Sequence, residues 1–169
     1  MMKDAIIKDE NKYPLHIFFV YILIIITLTL IIFRILITLF EFPYLIELSK
    51  DYDYGLLMRG MENGLINFYE PIPGALWPPY YLYFWFFLFF SMFLIPIEIG
   101  LYIWDIIRLF MCIYVVKTAP KVFENKKDLL VFYFLITIGY CIDAYYNNVN
   151  FLILFLLFNS IGELNSLKF

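Results

Sequence analysis

The chain has 169 residues, of which 64% are hydrophobic, 22% aromatic and only 16% charged, with a net charge of −3. A soluble domain carries about a quarter charged residues and roughly half apolar ones, so this composition excludes a soluble globular enzyme, a disordered chain and a disulfide-stapled secreted module. What remains is a protein dissolved in lipid, and a pI of about 5.1 leaves no electrostatic footprint for nucleic acid.

The first apolar run, Leu15 to Phe33, holds no Asp, Glu, Lys or Arg and continues to Phe40 with Arg34 as its one interruption. It exceeds the roughly 20 residues that cross a bilayer core. Its length, and the lack of a small-residue cleavage site, mark a retained span rather than a signal peptide. Arg34, near the end of the run, is expected to snorkel to the headgroups. His16, the single histidine, has no Cys or carboxylate at metal-ligand spacing, so no zinc site is expected.

Residues 41–76 are the only long stretch with polar variety, and hold six acids against Lys50 and Arg59. Asp51 and Asp53 form an Asp-x-Asp. Two such carboxylates that close together hold a divalent cation, and one of them near a hydroxyl serves as a general base. The same pair in an acidic loop is also a plain solvated feature.

The second apolar stretch, Trp77 to Val116, is interrupted by Pro96. Its first part, Tyr80 to Phe93, is crowded with aromatic side chains, which favour the water–lipid boundary. This predicts a helix lying partly in the interface or against protein, although the run is long enough to span. Trp77-Pro78-Pro79-Tyr80 suits the start of that helix, where a missing N–H costs nothing. Ile97 to Val116 reads as an ordinary span, with Asp105 and Arg108 at i, i+3 and able to pair within it. A loop from Lys117 to Asp128 carries four lysines; then come an apolar run from Leu129 to Ile142, Asp143, the polar knot from Tyr145 to Asn150, and a last apolar run from Phe151 to Ile161. Cys112 and Cys141 lie inside apolar runs and read as small buried hydrophobes. The expected fold class is all-α, a polytopic helical membrane protein. It has about four hydrophobic helices and an outer loop with juxtamembrane helices.

Positive charge prefers the cytoplasm. Lys3, Lys8 and Lys12 precede the first span, and Lys117, Lys121, Lys126 and Lys127 fill the later loop. Both segments are cytoplasmic only if the chain crosses once between residues 77 and 116, with the aromatic piece juxtamembrane or re-entrant. That arrangement, preferred over a full extra crossing, makes the N-terminus cytoplasmic. It puts the 41–76 loop and the Asn147–Asn150 knot together on the extracytoplasmic side.

The order of these features resembles the N-terminal part of the GT-C superfamily of integral-membrane glycosyltransferases, and most of all the polyprenyl-phosphate-mannose-dependent mannosyltransferases. The resemblance rests on Asp53-Tyr54 (or Asp51-Tyr52) in the first outer loop and on Gly64-Leu-Ile-Asn-Phe68-Tyr69. It also rests on Trp77-Pro78-Pro79-Tyr80 in the place of a Tyr-Pro-Pro-Leu element, and on Asn147-Asn148-Val149-Asn150 in the place of a Gly-Gln-x-Asn element. It covers about residues 15–162, with residues 1–169 one membrane domain. Since family members run to several hundred residues, it implies an N-terminal portion, a split protein completed by a second membrane chain, or a remnant. The resemblance implies a lipid-linked sugar donor and an extracytoplasmic acceptor. Asp53 is then the base, with Asp51 second, and these two are also the candidate divalent-cation ligands. Arg59 is a candidate phosphate contact or a solvated cation. Tyr54, Trp77 and Tyr80 offer faces for a sugar ring, and Asn147 and Asn150 match the family's polar element. The competing expectations are a non-enzymatic small membrane protein that binds lipid or a partner bundle, and a transporter fragment in which Asp105, Arg108 and Asp143 line a pathway.

Overall fold

A computed structural model describes residues 13–40, 52–71, 83–146 and 148–166, and among these every regular element is helical. The helices are α1 (Tyr13–Phe40), α2 (Tyr52–Glu62), α3 (Tyr83–Phe93), α4 (Ile97–Thr118, continued by a short 3-10 turn at Ala119–Lys121), α5 (Lys126–Tyr146) and α6 (Phe151–Ser166). Three segments are long and apolar enough to cross a membrane: Leu15–Phe40, Ile97–Lys121 and Lys126–Tyr146. The protein is therefore a helical membrane protein in class.

Among the described residues, the aromatic stretch forms the helix α3. The 11 residues of α3 rise about 16 Å, half the roughly 30 Å of the hydrocarbon core. Pro96 takes an extended ψ of 137° before α4, and its carbonyl accepts from the N–H groups of Ile99 (3.0 Å) and Gly100 (2.9 Å). The proline thus ends one helix and starts the next. The apolar part of α6, Phe151–Ile161, is also short of a full crossing by length.

Three levels of contact fix how the long helices run. At one level the Phe19 ring of α1 lies 4.9 Å from that of Tyr133, whose hydroxyl donates to the Val116 carbonyl of α4 at 3.0 Å. At the middle level the Thr27 hydroxyl bonds to Leu23 O (2.8 Å) and to the Tyr140 hydroxyl (2.5 Å). At the third, Arg34 pairs with Asp105 of α4 and donates to the Ala144 carbonyl of α5 at 2.7 Å. Residue numbers climb together in α1 and α5 and fall in α4, so α1 and α5 are parallel and α4 opposes them. The last helix, α6, returns along α5: Phe151 meets Tyr140 edge-on at 5.8 Å and Phe158 stacks on Phe132 at 5.6 Å.

Inward-facing side chains such as Leu23, Cys112, Val115, Val116, Tyr133 and Tyr140 are completely covered. Phe18, Ile25, Phe110 and Phe134, on the outside of the same helices, are 59–67% exposed. An apolar surface of that kind is a liability in water and the normal solvated face in lipid. Both cysteines are free thiols, Cys112 buried and Cys141 half-buried.

The antiparallel arrangement gives the bundle two distinct ends. One carries the start of α1 and the exposed Lys117, Lys121, Lys126 and Lys127. The other gathers α2, the α3–α4 turn and the α5–α6 connection. Arg34 corrects an expectation: it is 3% exposed and points into the bundle rather than toward the headgroups. The reason is Asp105, whose carboxylate also takes the i, i+3 contact from Arg108.

Candidate functional site

The site is built at the end away from the lysines, and α2 is its centrepiece. Tyr54, Leu57, Met58 and Met61 fall at i, i+3, i+4 and i+7, one face of a helix, and are between 0 and 2% exposed. Arg59 and Glu62 lie on the exposed face. The helix closes with Gly64 at φ +79°, a left-handed position that glycine occupies at no steric cost; its N–H bonds to the Met61 carbonyl at 3.0 Å. Asp53, in the first turn, is half-buried and sits at the positive end of the helix dipole.

What anchors α2 is a chain of rings. Tyr54 meets Phe89 of α3 edge-on at 6.4 Å, Trp85 lies 5.8 Å from Phe89, and Phe89 packs against Trp104 of α4 at 4.9 Å. The Trp104 indole N–H then donates to the Asn148 carbonyl at 3.2 Å, tying the α5–α6 connection to the same cluster. Gly100 makes the close approach possible. A Cβ there would collide with the Tyr54 hydroxyl and lie 3.3 Å from its Cζ. Overpacking of this kind costs about 1–3 kcal/mol. Gly100→Ala is therefore expected to loosen α2 from the bundle, seen as faster amide exchange confined to α2. Adding Tyr54→Phe, which removes the obstructing oxygen, should restore most of the protection; no rescue would mean that the two positions do not meet.

The α5–α6 connection is a set of local turns. The Asn148 side-chain oxygen accepts from the Asn150 N–H at 3.0 Å, an Asx turn, and the Asn148 N–H returns to the Asp143 carbonyl at 2.9 Å. The Asn150 carbonyl receives the Ile153 N–H at 2.9 Å and so starts α6. Asp143 lies within electrostatic reach of both Arg108 and Asp53. The Asp143 Oδ2 atom is buried, with no hydrogen-bond donor among the described residues.

Beneath this layer lies a closed ionic network. Asp105 bridges Arg34 and Arg108; Arg108 also donates to the Asp143 backbone carbonyl at 3.2 Å and stands over the Tyr140 ring at 5.9 Å. Asp143 stands within electrostatic reach of Arg108 and so borders this network. Paired in this way, charge survives burial among helices.

The residues singled out from the sequence thus fall into three groups. Asp53 and Asn150 are brought to the same end of the bundle, with Arg59 on the exposed face of α2. Tyr54 has both faces covered by protein and anchors α2 rather than presenting a ring. Asp51, Trp77, Tyr80 and Asn147 lie outside the described residues. No cluster of three or more His, Cys, Asp or Glu gathers among the described residues. Gly100 and Trp104 escaped sequence reading because a glycine and a tryptophan at the head of an apolar helix carry no local signal. Asp143 was visible only as a polar residue at a span end.

No family model matches the chain, and comparison with curated proteins and with solved structures gives no significant match.

Proposed function

We propose that the chain forms part of the site of a membrane glycosyltransferase that uses a polyprenyl-phosphate-linked sugar, with Asp53 as the general base. The observation that carries this reading is the docking of α2. Its apolar face seats Asp53 at the bundle end opposite the lysine-bearing loop, within electrostatic reach of Asp143. A transferase of this kind needs a carboxylate fixed at the lipid surface, within reach of both a membrane-anchored donor and a hydroxylated acceptor.

In the proposed reaction the Asp53 carboxylate takes the proton of an acceptor hydroxyl, and that oxygen attacks the anomeric carbon. The bond from the anomeric carbon to the phosphate oxygen breaks, and polyprenyl phosphate departs with the electron pair. Arg34 and Arg108 are committed to Asp105 and are withdrawn from this surface. Arg59 stands on the exposed face of α2 and is suited to the leaving phosphate. In this reading the Asp53 end is extracytoplasmic and the lysine end cytoplasmic. The closed ionic network argues for packing rather than a conduction path at Asp105 and Arg108.

The test is transfer itself. Membranes carrying the chain are supplied with radiolabelled polyprenyl-phosphate mannose, and consumption of the lipid-linked sugar is followed. Consumption that depends on the chain and disappears in Asp53→Asn supports the proposal. Consumption unaffected by Asp53→Asn overturns the base assignment. No consumption above control membranes, in the native host as well, leaves the non-enzymatic membrane-protein reading in its place.

A further inference from the structure

The lipid-facing surface of the bundle has two different heights. On α1, exposed apolar side chains run from Ile17 to Phe40, about 35 Å along the helix and enough for the roughly 30 Å hydrocarbon core of a bilayer. On α5 the uncharged run between Asp128 and Asp143 goes from Leu129 to Ile142, only about 20 Å. Asp128 is exposed, and its short side chain cannot reach out of hydrocarbon as a lysine does. The neighbouring α6 is short to match, with an apolar part of Phe151–Ile161. Because Phe151 meets Tyr140, the exposed Asn150 before it stands beside the last turns of α5. The excess of α1 lies at the Asp53 end. Thr27 meets Tyr140 across 113 positions and Arg34 meets Ala144 across 110, so Tyr146 is level with Phe33 to Leu36 of α1. At or beyond that level α1 still presents Leu36 and Leu39, which are 41% and 70% exposed.

We infer that the α5–α6 face packs against a locally thinned bilayer, its headgroups drawn inward beside Asn150 and Tyr146, while α1 faces a bilayer of ordinary thickness. The two helices are fixed to each other by their contacts, so the bundle cannot adjust one without the other. Tilting it shortens the height of α5 further. Sliding it along the membrane normal moves either Asp128 or Asn150 into hydrocarbon, where polar and ionisable groups are costly. A bilayer deforms at a modest cost for each ångström of mismatch, and this is the softest response left. The face also has the layering of a lipid bilayer. Its middle holds Phe134 and Leu135, both 63% exposed; one end carries Lys126, Lys127 and Asp128, and the other Asn150 and the exposed rings of Tyr145 and Tyr146, a side chain that favours the boundary. A membrane-spanning helix of a partner would bring about 30 Å of apolar surface to this face and set its apolar ends against Asp128 and Asn150. Lipid is therefore the occupant. The inference does not depend on the transferase reading, since it concerns the lipid boundary alone.

The experiment is a nitroxide scan of the full chain in dioleoylphosphatidylcholine vesicles. Single cysteines are introduced into a background carrying Cys112→Ala and Cys141→Ala. Collision with oxygen, set against collision with a water-soluble nickel chelate, reports whether each position lies in hydrocarbon. One series follows the exposed face of α5 through Leu130, Phe134, Ile138, Ile142 and Tyr146; the other follows α1 through Tyr21, Ile25, Ile32, Leu36 and Leu39. The hydrocarbon profile along α5 is expected to be about 20 Å wide, centred between Phe134 and Ile138, and that along α1 at least about 30 Å. The decisive pair is Tyr146→Cys and Leu36→Cys. The first should meet nickel and the second oxygen, although Leu36 is level with Tyr146 or further along the bundle. Profiles of equal width on the two helices overturn the inference, and so does equal nickel contact at positions 36 and 146. Labels along α5 that meet neither reagent would place protein on this face and overturn it as well. Each profile rests on several positions, so a variant that fails to fold does not remove the comparison.

Discussion

Asp105→Ala is expected to cost about 3–5 kcal/mol, the penalty for removing one member of a buried ion pair. The size follows from what is left behind. Arg34 and Arg108, both essentially buried, would then share a pocket without the carboxylate that lies between them. Arg34, nearer a helix end, has an escape by extending toward the headgroups. Arg108, about three turns into α4, has none, and lipid offers no water to solvate it. The measurement is the fraction of chain that stays monodisperse after graded heating in detergent. A midpoint unchanged from the wild type would show that the network contributes nothing. The quadruple replacement Arg34→Met, Asp105→Leu, Arg108→Met, Asp143→Asn removes these charges together and should be far milder than the single change, because a buried pair breaks even against apolar groups of similar volume. A quadruple variant as unstable as Asp105→Ala would mean that the loss comes from shape and not from stranded charge.

Much of the architecture was legible because lipid imposes a simple rule. A helix that crosses must be apolar over its length, and α1, α4 and α5 could be read directly from runs of hydropathy. Pro96 announced the break before α4, and the i, i+3 spacing of Asp105 and Arg108 announced their pairing. Local pattern failed where a partner sits on another helix. Arg34 looked like a snorkelling residue because its own run ends one to two turns later. The carboxylate that holds it inside is 71 positions away in the chain. A sum over all three spans carries a signal that no single span does: two arginines and two aspartates at matching depths. Gly100 matters only through Tyr54, 46 positions earlier, and nothing local distinguishes it from any glycine at a helix start. The α5–α6 connection is tied to the bundle by the Trp104–Asn148 bond, between residues 44 positions apart, which no local pattern announces.

Asp53→Asn should lower sugar transfer by about 10²–10⁴-fold, the range lost with a general base, while leaving the fold intact. The two halves of this prediction are separable because α2 is held by Tyr54, Leu57, Met58 and Met61, whereas Asp53 is half-buried at its edge. Asparagine keeps the size and the helix-start chemistry of aspartate and removes only the ability to take a proton. Asp53→Glu, which keeps the carboxylate but moves it by one methylene, should recover part of the rate, because a displacement on the order of 1 Å already costs about 10²-fold. Arg59→Ala should act differently, weakening the apparent affinity for the phosphate-bearing donor more than the turnover. Sidedness supplies the independent check. Cysteines at 53 and 148 should react with an impermeant reagent from the extracytoplasmic face of sealed vesicles, and a cysteine at 122 only from the other. Modification of position 53 from the cytoplasmic face would sink the site's orientation and the transferase reading with it. A lipid-linked donor presented outside cannot meet a base held on the opposite surface.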